Sequence, residues 1–216
     1  MSDLAARYYL DSAAAFVRGT LPGAGGSPEE LFRQGQAAGL RLHKFKRAGL
    51  LPRVKRVFGL LRGLAPQRLL DVGTGRGVFL WPLLDAFADL RVTCIDVRAD
   101  RVADLRAVAA GGVARLDAHV MDAAALDFPD GGFDGVTLLE VLEHLPHPER
   151  AVAEAVRVAR TFVAVSVPSK PDDNPEHVHL FDGKSLANLF GRAGVQKVSV
   201  EHVLNHIVAL AVVDRP

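Results

Sequence analysis

The stretch from Arg68 to Leu84, RLLDVGTGRGVFLWPLL, constrains the fold more than any other part of the chain. Leu69, Leu70 and Val72 form a short apolar run suited to a buried parallel strand, and Gly73, Gly75 and Gly77 follow it at once. A strand therefore turns sharply into a helix. Glycines at such a turn permit positive φ and let a ligand approach bare backbone, while the N–H groups opening the next helix favour electronegative groups. The pattern predicts a nucleotide-binding turn without identifying the nucleotide.

Spacing narrows the choice. A dinucleotide fingerprint reads G-x-G-x-x-G, whereas this chain has Gly73-Thr74-Gly75-Arg76-Gly77 with Asp71 two residues ahead. A P-loop ends in Gly-Lys-Ser/Thr, and here Gly77 is followed by Val78 and Phe79. An acid at the strand end suits a cationic ligand better than a pyrophosphate. These residues resemble the D/E-x-G-x-G-x-G first motif of the class I, Rossmann-like S-adenosylmethionine-dependent methyltransferases. The resemblance covers about residues 68–213. It implies a three-layer α/β sandwich with a mostly parallel seven-stranded sheet, an antiparallel C-terminal hairpin and S-adenosyl-L-methionine as cofactor. A nicotinamide-dependent oxidoreductase is the competing reading, against which the glycine spacing and Asp71 argue.

Periodicity supplies the elements around the turn. Leu4, Tyr8, Ala15 and Phe16 suggest one amphipathic helix, ended by the breaker-rich stretch 19–27. Ser27-Pro28-Glu29-Glu30 reads as a capping box, and helices should continue, with a break near Pro52, to about Leu64. Beyond the glycines, strands at 92–95, 116–121, 133–139 and 162–167 alternate with helices at 101–109 and 149–158. That alternation argues for a parallel sheet flanked by helices. A helix at 183–192 and two strands at 195–203 and 205–213 close the chain. The expected organisation is a helical cap or lid segment, 1–64, in one unit with a cofactor-binding domain, 65–216.

Ligands of open α/β sheets sit beyond the carboxyl ends of the strands. Asp96 ends the second strand, 25 residues after Asp71, where a carboxylate can accept from both ribose hydroxyls, and Val97 could pack on the adenine face. A loop-starting aspartate is the alternative. Asp122 follows the third strand; the resemblance implies that it receives the adenine amino group and that the Ala123 N–H reaches a ring nitrogen. Asp127, its rival, stands before the turn-rich Phe128-Pro129-Asp130-Gly131-Gly132. Asp71 would face the methionine amine. Gly73, Thr74, Gly75, Gly77 and Glu140 complete the expected cofactor set.

The fourth strand runs into Glu140-Val141-Leu142-Glu143-His144-Leu145. Spacings of three and four would put Glu140, Glu143 and His144 on one helical face at the mouth of the site. Such a group can orient an acceptor, take its proton or hold a divalent ion. E-x-x-E-H resembles the metal motif of small-RNA ribose 2′-O-methyltransferases and of ubiquinone-pathway O-methyltransferases, while E-V-L-E-H-L is also widespread in methyltransferases without an assigned metal. A second cluster, His177 and His179, follows the fifth strand and should lie over the same pocket. The expectations are therefore His144, His177 and Glu143 as catalytic candidates, and Glu140, Glu143, His144 and His179 as candidate ligands for magnesium or manganese. His43, His119 and His147 read as ordinary surface.

Charge distribution says more than the net charge of +1. No acid occurs from Leu31 to Leu70, but ten basic residues do: Arg33, Arg41, Lys44, Lys46, Arg47, Arg53, Lys55, Arg56, Arg62 and Arg68. Such a segment attracts phosphate or carboxylate groups and could contact RNA; alternatively it is a helix surface balanced by acids elsewhere. Cys94 is the only cysteine, which excludes an internal disulfide and fits an inert buried thiol in a reducing cytoplasm. Arg7, Asp11 and Arg18 interrupt any signal-peptide core, and no run approaches the about 20 apolar residues that span a bilayer, so no membrane partner is expected. A small metabolite is the first choice of acceptor. A metal-assisted RNA methyltransferase and a non-catalytic S-adenosylmethionine-binding regulator are the alternatives.

Overall fold

The strand that feeds the glycine turn, β1 (Arg68–Val72), runs through the middle of a seven-stranded sheet in the computed structural model, which describes residues 3–214. It pairs in parallel with β2 (Arg91–Asp96) on one side and β4 (Phe133–Leu139) on the other. β3 (Leu116–Val120) extends the sheet beyond β2, and β5 (Ala159–Pro168) extends it beyond β4. β7 (His206–Val212) then joins β5 antiparallel and carries β6 (Lys197–Val203) at the edge. The order β3-β2-β1-β4-β5-β7-β6 reverses direction at β1, where β2 and β4 lie on its two sides. Loops leaving β1 and β4 diverge there and open a crevice.

Alternation along the strands divides the core into two layers. Leu69 and Phe162 face one, with the N-terminal helices, α5 (Leu80–Ala86) and α6 (Ala99–Ala110). Leu70, Val72, Val163 and Val165 face the other, with α7 (Pro148–Val158) and α8 (Gly183–Arg192). Gly135 lies opposite Phe162 in the register, and a Cβ there would stand 2.0 Å from the ring, so the glycine is the seat of that aromatic. Cys94 is buried, and burial together with the nearby Asp71 carboxyl pushes its thiol well above the ordinary range.

The N-terminal segment differs from expectation in two places. The single expected helix is two, α1 (Asp3–Arg7) and α2 (Leu10–Thr20). Tyr8 instead forms an antiparallel bridge with Lys46, and the Arg47 guanidinium donates to the Ala5 and Tyr8 carbonyls at 3.0 Å. These long-range partners take the hydrogen bonds that a continuous helix would make. α3 (Pro28–Ala37) has the expected capping box, with Ser27 Oγ accepting from Glu30 N–H and Glu30 Oε2 from Ser27 N–H. It is followed only by one 3₁₀ turn, Leu42–Phe45, before Pro52 opens α4 (Pro52–Leu64).

Phe16, Phe32, Phe45 and Phe58 from this segment share one core with Leu69, Trp81 and Phe162. α2 crosses α6 at glycine contacts, where a Cβ on Gly19 would meet the Ala107 carbonyl and one on Gly111 the Ala15 carbonyl. No helix of the described residues is long and apolar enough to cross a membrane.

Candidate functional site

At the end of β1 the chain must leave the sheet without filling the crevice. Gly73, Gly75 and Gly77 take φ of +69°, +60° and +80°, which L side chains rarely adopt. A Cβ on Gly73 would also meet Val141 Cγ2 at 2.6 Å. Gly73 N–H donates to the Ile95 carbonyl at 2.8 Å, and Gly75 N–H to Asp96 Oδ2 at 3.0 Å. The Asp96 carboxylate thus anchors the turn from the neighbouring strand. Its Oδ1 accepts from Arg98 N–H at 3.0 Å, and Arg101 lies 3.3 Å from Oδ2.

These residues border a cavity of about 690 Å³. Asp71, Gly73, Thr74, Gly75, Asp96, Val97, Asp122, Ala123 and Glu140 all line it, nine of the ten residues expected to surround a cofactor. Gly77 is the exception: it lines a second cavity and gives its Cβ space to the Trp81 indole, whose Nε1 donates to the Arg76 carbonyl at 3.0 Å. The expectation of helix N–H groups at the ligand is also corrected. α5 opens only at Leu80, outside the lining, so the exposed backbone is turn rather than helix.

Asp71 is buried, with Oδ1 accepting a 2.7 Å bond from the Thr137 hydroxyl and Oδ2 without a partner among the described residues. Burial pushes its carboxyl up to about 6, against the pull of the Thr137 and Thr74 hydroxyls and with a smaller push from Asp96. Asp122 is exposed and its Oδ1 accepts from Ala124 N–H at 2.8 Å, while Val97 is 67% exposed at the cavity edge. Asp127 lies outside the lining.

The E-x-x-E-H run is not a helical face. Glu140 has φ +60°, and a 3₁₀ turn of three residues, Leu142–His144, follows it. Glu140 therefore points one way and Glu143 another. Glu140 accepts a 2.7 Å bond from Ser166 Oγ, sits 3.4 Å from Arg53 Nε and 3.0 Å from His206 Nε2. Glu143 is fully buried, and neither carboxylate oxygen has a partner among the described residues. Burial, reinforced by Glu140 and Asp172, pushes it up to about 8, although hydrogen bonding to its own backbone and the Arg53 charge act the other way.

His144 lines the cavity and its Nδ1 lies 3.1 Å from the Glu176 carbonyl, so that nitrogen carries a proton and donates it. The His177 ring stands 4.7 Å from it, with Nδ1 2.9 Å from Asp172 Oδ1. One ligating atom each from Glu143, His144 and His177 falls within 4.8 Å of the others. Of the expected metal set, Glu143 and His144 belong to this group and Glu140 does not; of the two histidines expected after the fifth strand, His177 belongs to it and His179 does not. His179 contributes its backbone N–H to the Glu143 carbonyl at 3.2 Å, and its buried Nε2 has no partner among the described residues.

Sequence reading missed Thr137, Ser166, Arg53 and His206, the residues that hold Asp71 and Glu140. Thr137 within the apolar run 136–139 and Ser166 within the apolar run 162–167 each carried a signal as a polar residue in a buried strand; Arg53 and His206 carried none. The basic segment follows the alternative in which acids elsewhere in the fold balance it. Lys44, Arg47, Arg53 and Arg56 pair with Asp104, Asp85, Glu140 and Glu201.

Residues 70–162 match the family model described as a methyltransferase domain. An ubiquinone biosynthesis O-methyltransferase of Ralstonia nicotianae is 37% identical over 100 residues, 46% of this chain and 40% of that protein. A malonyl-[acyl-carrier protein] O-methyltransferase of Geobacter sulfurreducens is 36% identical over 107 residues, 49% of this chain and 40% of that protein. The chain spans about two fifths of the length of these curated relatives. Among solved structures, a SAM-dependent methyltransferase from Aquifex aeolicus superposes with a TM-score of 0.62 at 22% identity, over 76% of this chain and 91% of that one. At that identity the likeness shows the fold.

Proposed function

We propose that residues 70–162, which match a methyltransferase domain, form the core of a class I, Rossmann-like S-adenosylmethionine-dependent methyltransferase that methylates an oxygen, nitrogen or carbon atom of a small metabolite. The observation that carries this reading is the unpartnered, buried Oδ2 of Asp71 beside three positive-φ glycines, in a cavity roomy enough for an adenosyl amino acid. A buried carboxylate oxygen without a donor suits an ammonium group, and a turn without side chains suits close approach of the ligand.

Within this reading Asp71 receives the amine, the Gly73–Gly75 backbone lies along the amino-acid part, and Asp96 takes the ribose hydroxyls. Val97 covers the adenine ring, with Asp122 and the Ala123 N–H at its edge. Glu140, already engaged by three side chains, braces the floor. When bound, S-adenosyl-L-methionine would supply an electrophilic methyl carbon on a sulfur that keeps the bonding pair, to an acceptor atom that provides an electron pair. The chain's own task is to hold the acceptor in line, exclude water and receive a proton where the acceptor carries one. His144 suits that last role, because its Nδ1 proton is held on the Glu176 carbonyl and Nε2 is left to accept.

A divalent ion is a second reading, favoured by the two bare oxygens of Glu143 next to His144 and His177. One carboxylate and two imidazoles suit manganese or zinc better than magnesium. The RNA alternative has less support, since four of the ten basic side chains are engaged within the fold. A cytoplasmic location belongs to the main reading and rests on the single buried thiol.

Calorimetric titration of metal-stripped protein with S-adenosylmethionine, S-adenosylhomocysteine and NAD, repeated with manganese, tests it. Micromolar binding of the two adenosyl ligands and none of NAD is expected. Binding of NAD alone would overturn the cofactor assignment. Adenosyl binding without methyl transfer to any acceptor in a broad metabolite screen would favour a regulator.

A further inference from the structure

A second cavity of about 310 Å³ adjoins the first, and Arg76 and Val78 line both. Trp81 and Pro82 form its apolar floor with Tyr9, and the segment after the 3₁₀ turn forms its rim with His43, Lys46 and Leu50. His43, expected to be ordinary surface, is thus part of a cavity wall. Among the described residues no acid lines this cavity. That matters because two neighbouring cations are already compensated: Lys44 pairs with Asp104 and lies 4.0 Å over the Phe16 ring, and Arg47 forms a two-pronged pair with Asp85.

Lys46 and Arg76 differ. Both are exposed, and neither forms an ion pair among the described residues. Their backbones are nevertheless fixed. Lys46 is held by the bridge to Tyr8, next to the Phe45 carbonyl that accepts from Tyr9 N–H at 2.9 Å, and the Arg76 carbonyl is held by the Trp81 indole. Two cations without an ion pair among the described residues thus line one cavity together with Tyr9, Trp81 and Pro82.

Resting on the methyltransferase reading, we infer that this second cavity holds the anionic end of the acceptor, an aryl carboxylate or aryl phosphate, whose reacting atom reaches past Arg76 and Val78 into the cofactor cavity where His144 lies. The apolar body packs on Trp81 and Pro82, and its charge meets Lys46 and Arg76. Arg76 and Val78, which line both cavities, mark where the occupant meets the cofactor cavity. A side chain on Gly77 would collide with the Trp81 indole that floors this cavity. The break between α1 and α2 acquires a purpose: the bridge that interrupts the helix brings Lys46 beside Tyr9.

The test titrates the full chain, with and without saturating S-adenosylhomocysteine, with benzoate, phenyl phosphate and the neutral isostere benzamide. At least one anion should bind about 10-fold tighter than benzamide, as expected for a charge-assisted contact. Lys46→Gln should erase that preference while leaving S-adenosylhomocysteine affinity within about 2-fold, and Lys46→Arg should retain it. Magnetisation transfer between the aryl protons and those of bound S-adenosylhomocysteine should show the two ligands in contact. Equal affinity for benzamide and both anions, a preference that survives Lys46→Gln, or no transfer with both ligands bound would each overturn the assignment. Failure of S-adenosylhomocysteine to bind while the anions still discriminate would instead overturn the cofactor reading, and the acceptor role with it.

Discussion

Asp71 and Thr137 sit opposite each other in the register of β1 and β4, and the Thr137 hydroxyl donates a 2.7 Å hydrogen bond to Asp71 Oδ1. The bond fixes the carboxylate and leaves Oδ2 buried, with no partner among the described residues. Because burial raises this carboxyl from 3.8 to about 6, its contribution favours folding most below pH 3.8 and is lost as pH rises through about 6. An ammonium brought to Oδ2 stabilises the charged form and lowers the pKa again. Binding of S-adenosylhomocysteine at about pH 5.5 should therefore release protons, and its calorimetric heat should depend on the ionisation enthalpy of the buffer. Asp71→Asn should remove the dependence. Buffer-independent heats in the wild-type protein would mean that the amine does not meet Asp71.

Asp96 does two jobs in the same site, closing the glycine turn through Gly75 N–H and presenting its carboxylate to the cavity. Asp96→Ala should weaken S-adenosylhomocysteine binding by about 100-fold, as loss of charge-assisted contacts implies, with circular dichroism unchanged. Affinity within threefold of wild type would remove Asp96 from the site.

Glu143 is raised from 4.5 to about 8, so the buried carboxyl is neutral in acid and its effect on folding is sign-definite. Its contribution is fully present below pH 4.5 and is lost as pH rises through about 8. Glu143→Gln should match wild type at pH 4 and exceed it at pH 9 by about 4 kcal/mol in denaturant unfolding. A difference that does not vary with pH would contradict the burial of an uncompensated acid.

The same carboxylate supports a metal test. Manganese or zinc should raise the melting temperature of metal-stripped protein, and His177→Ala should abolish the effect, because His177 stands in the group with Glu143 and His144. His179→Ala should leave it intact. Protection that depends on His179 and not His177 would assign a different ligand set.

Gly135 probes the sheet itself. Gly135→Ala would place a methyl 2.0 Å from the Phe162 ring between two buried strands. Overpacking of this kind should cost about 1–3 kcal/mol, read as a lower denaturation midpoint. Unchanged stability would mean that Phe162 repacks freely.

Local signals made much of this protein legible without coordinates. The apolar run before three glycines, the alternation of strands and helices, and Ser27-x-x-Glu30 each act over a few residues, so the sequence alone determined the strands, the helices that follow the glycines, the turn and the strand-end acids Asp71, Asp96 and Asp122. Tertiary structure decided the partners. Thr137 meets Asp71 from 66 residues away, and Arg53 and His206 reach Glu140 from opposite ends of the chain. The positive φ of Glu140 turned an expected helical face into two directions, burying Glu143 and recruiting His177. Lys46 similarly interrupted a helix that Leu4, Tyr8 and Phe16 had announced by their spacing. In each case a contact between distant segments offered more than the local pattern could, and no periodicity within one segment encodes which distant segment will arrive.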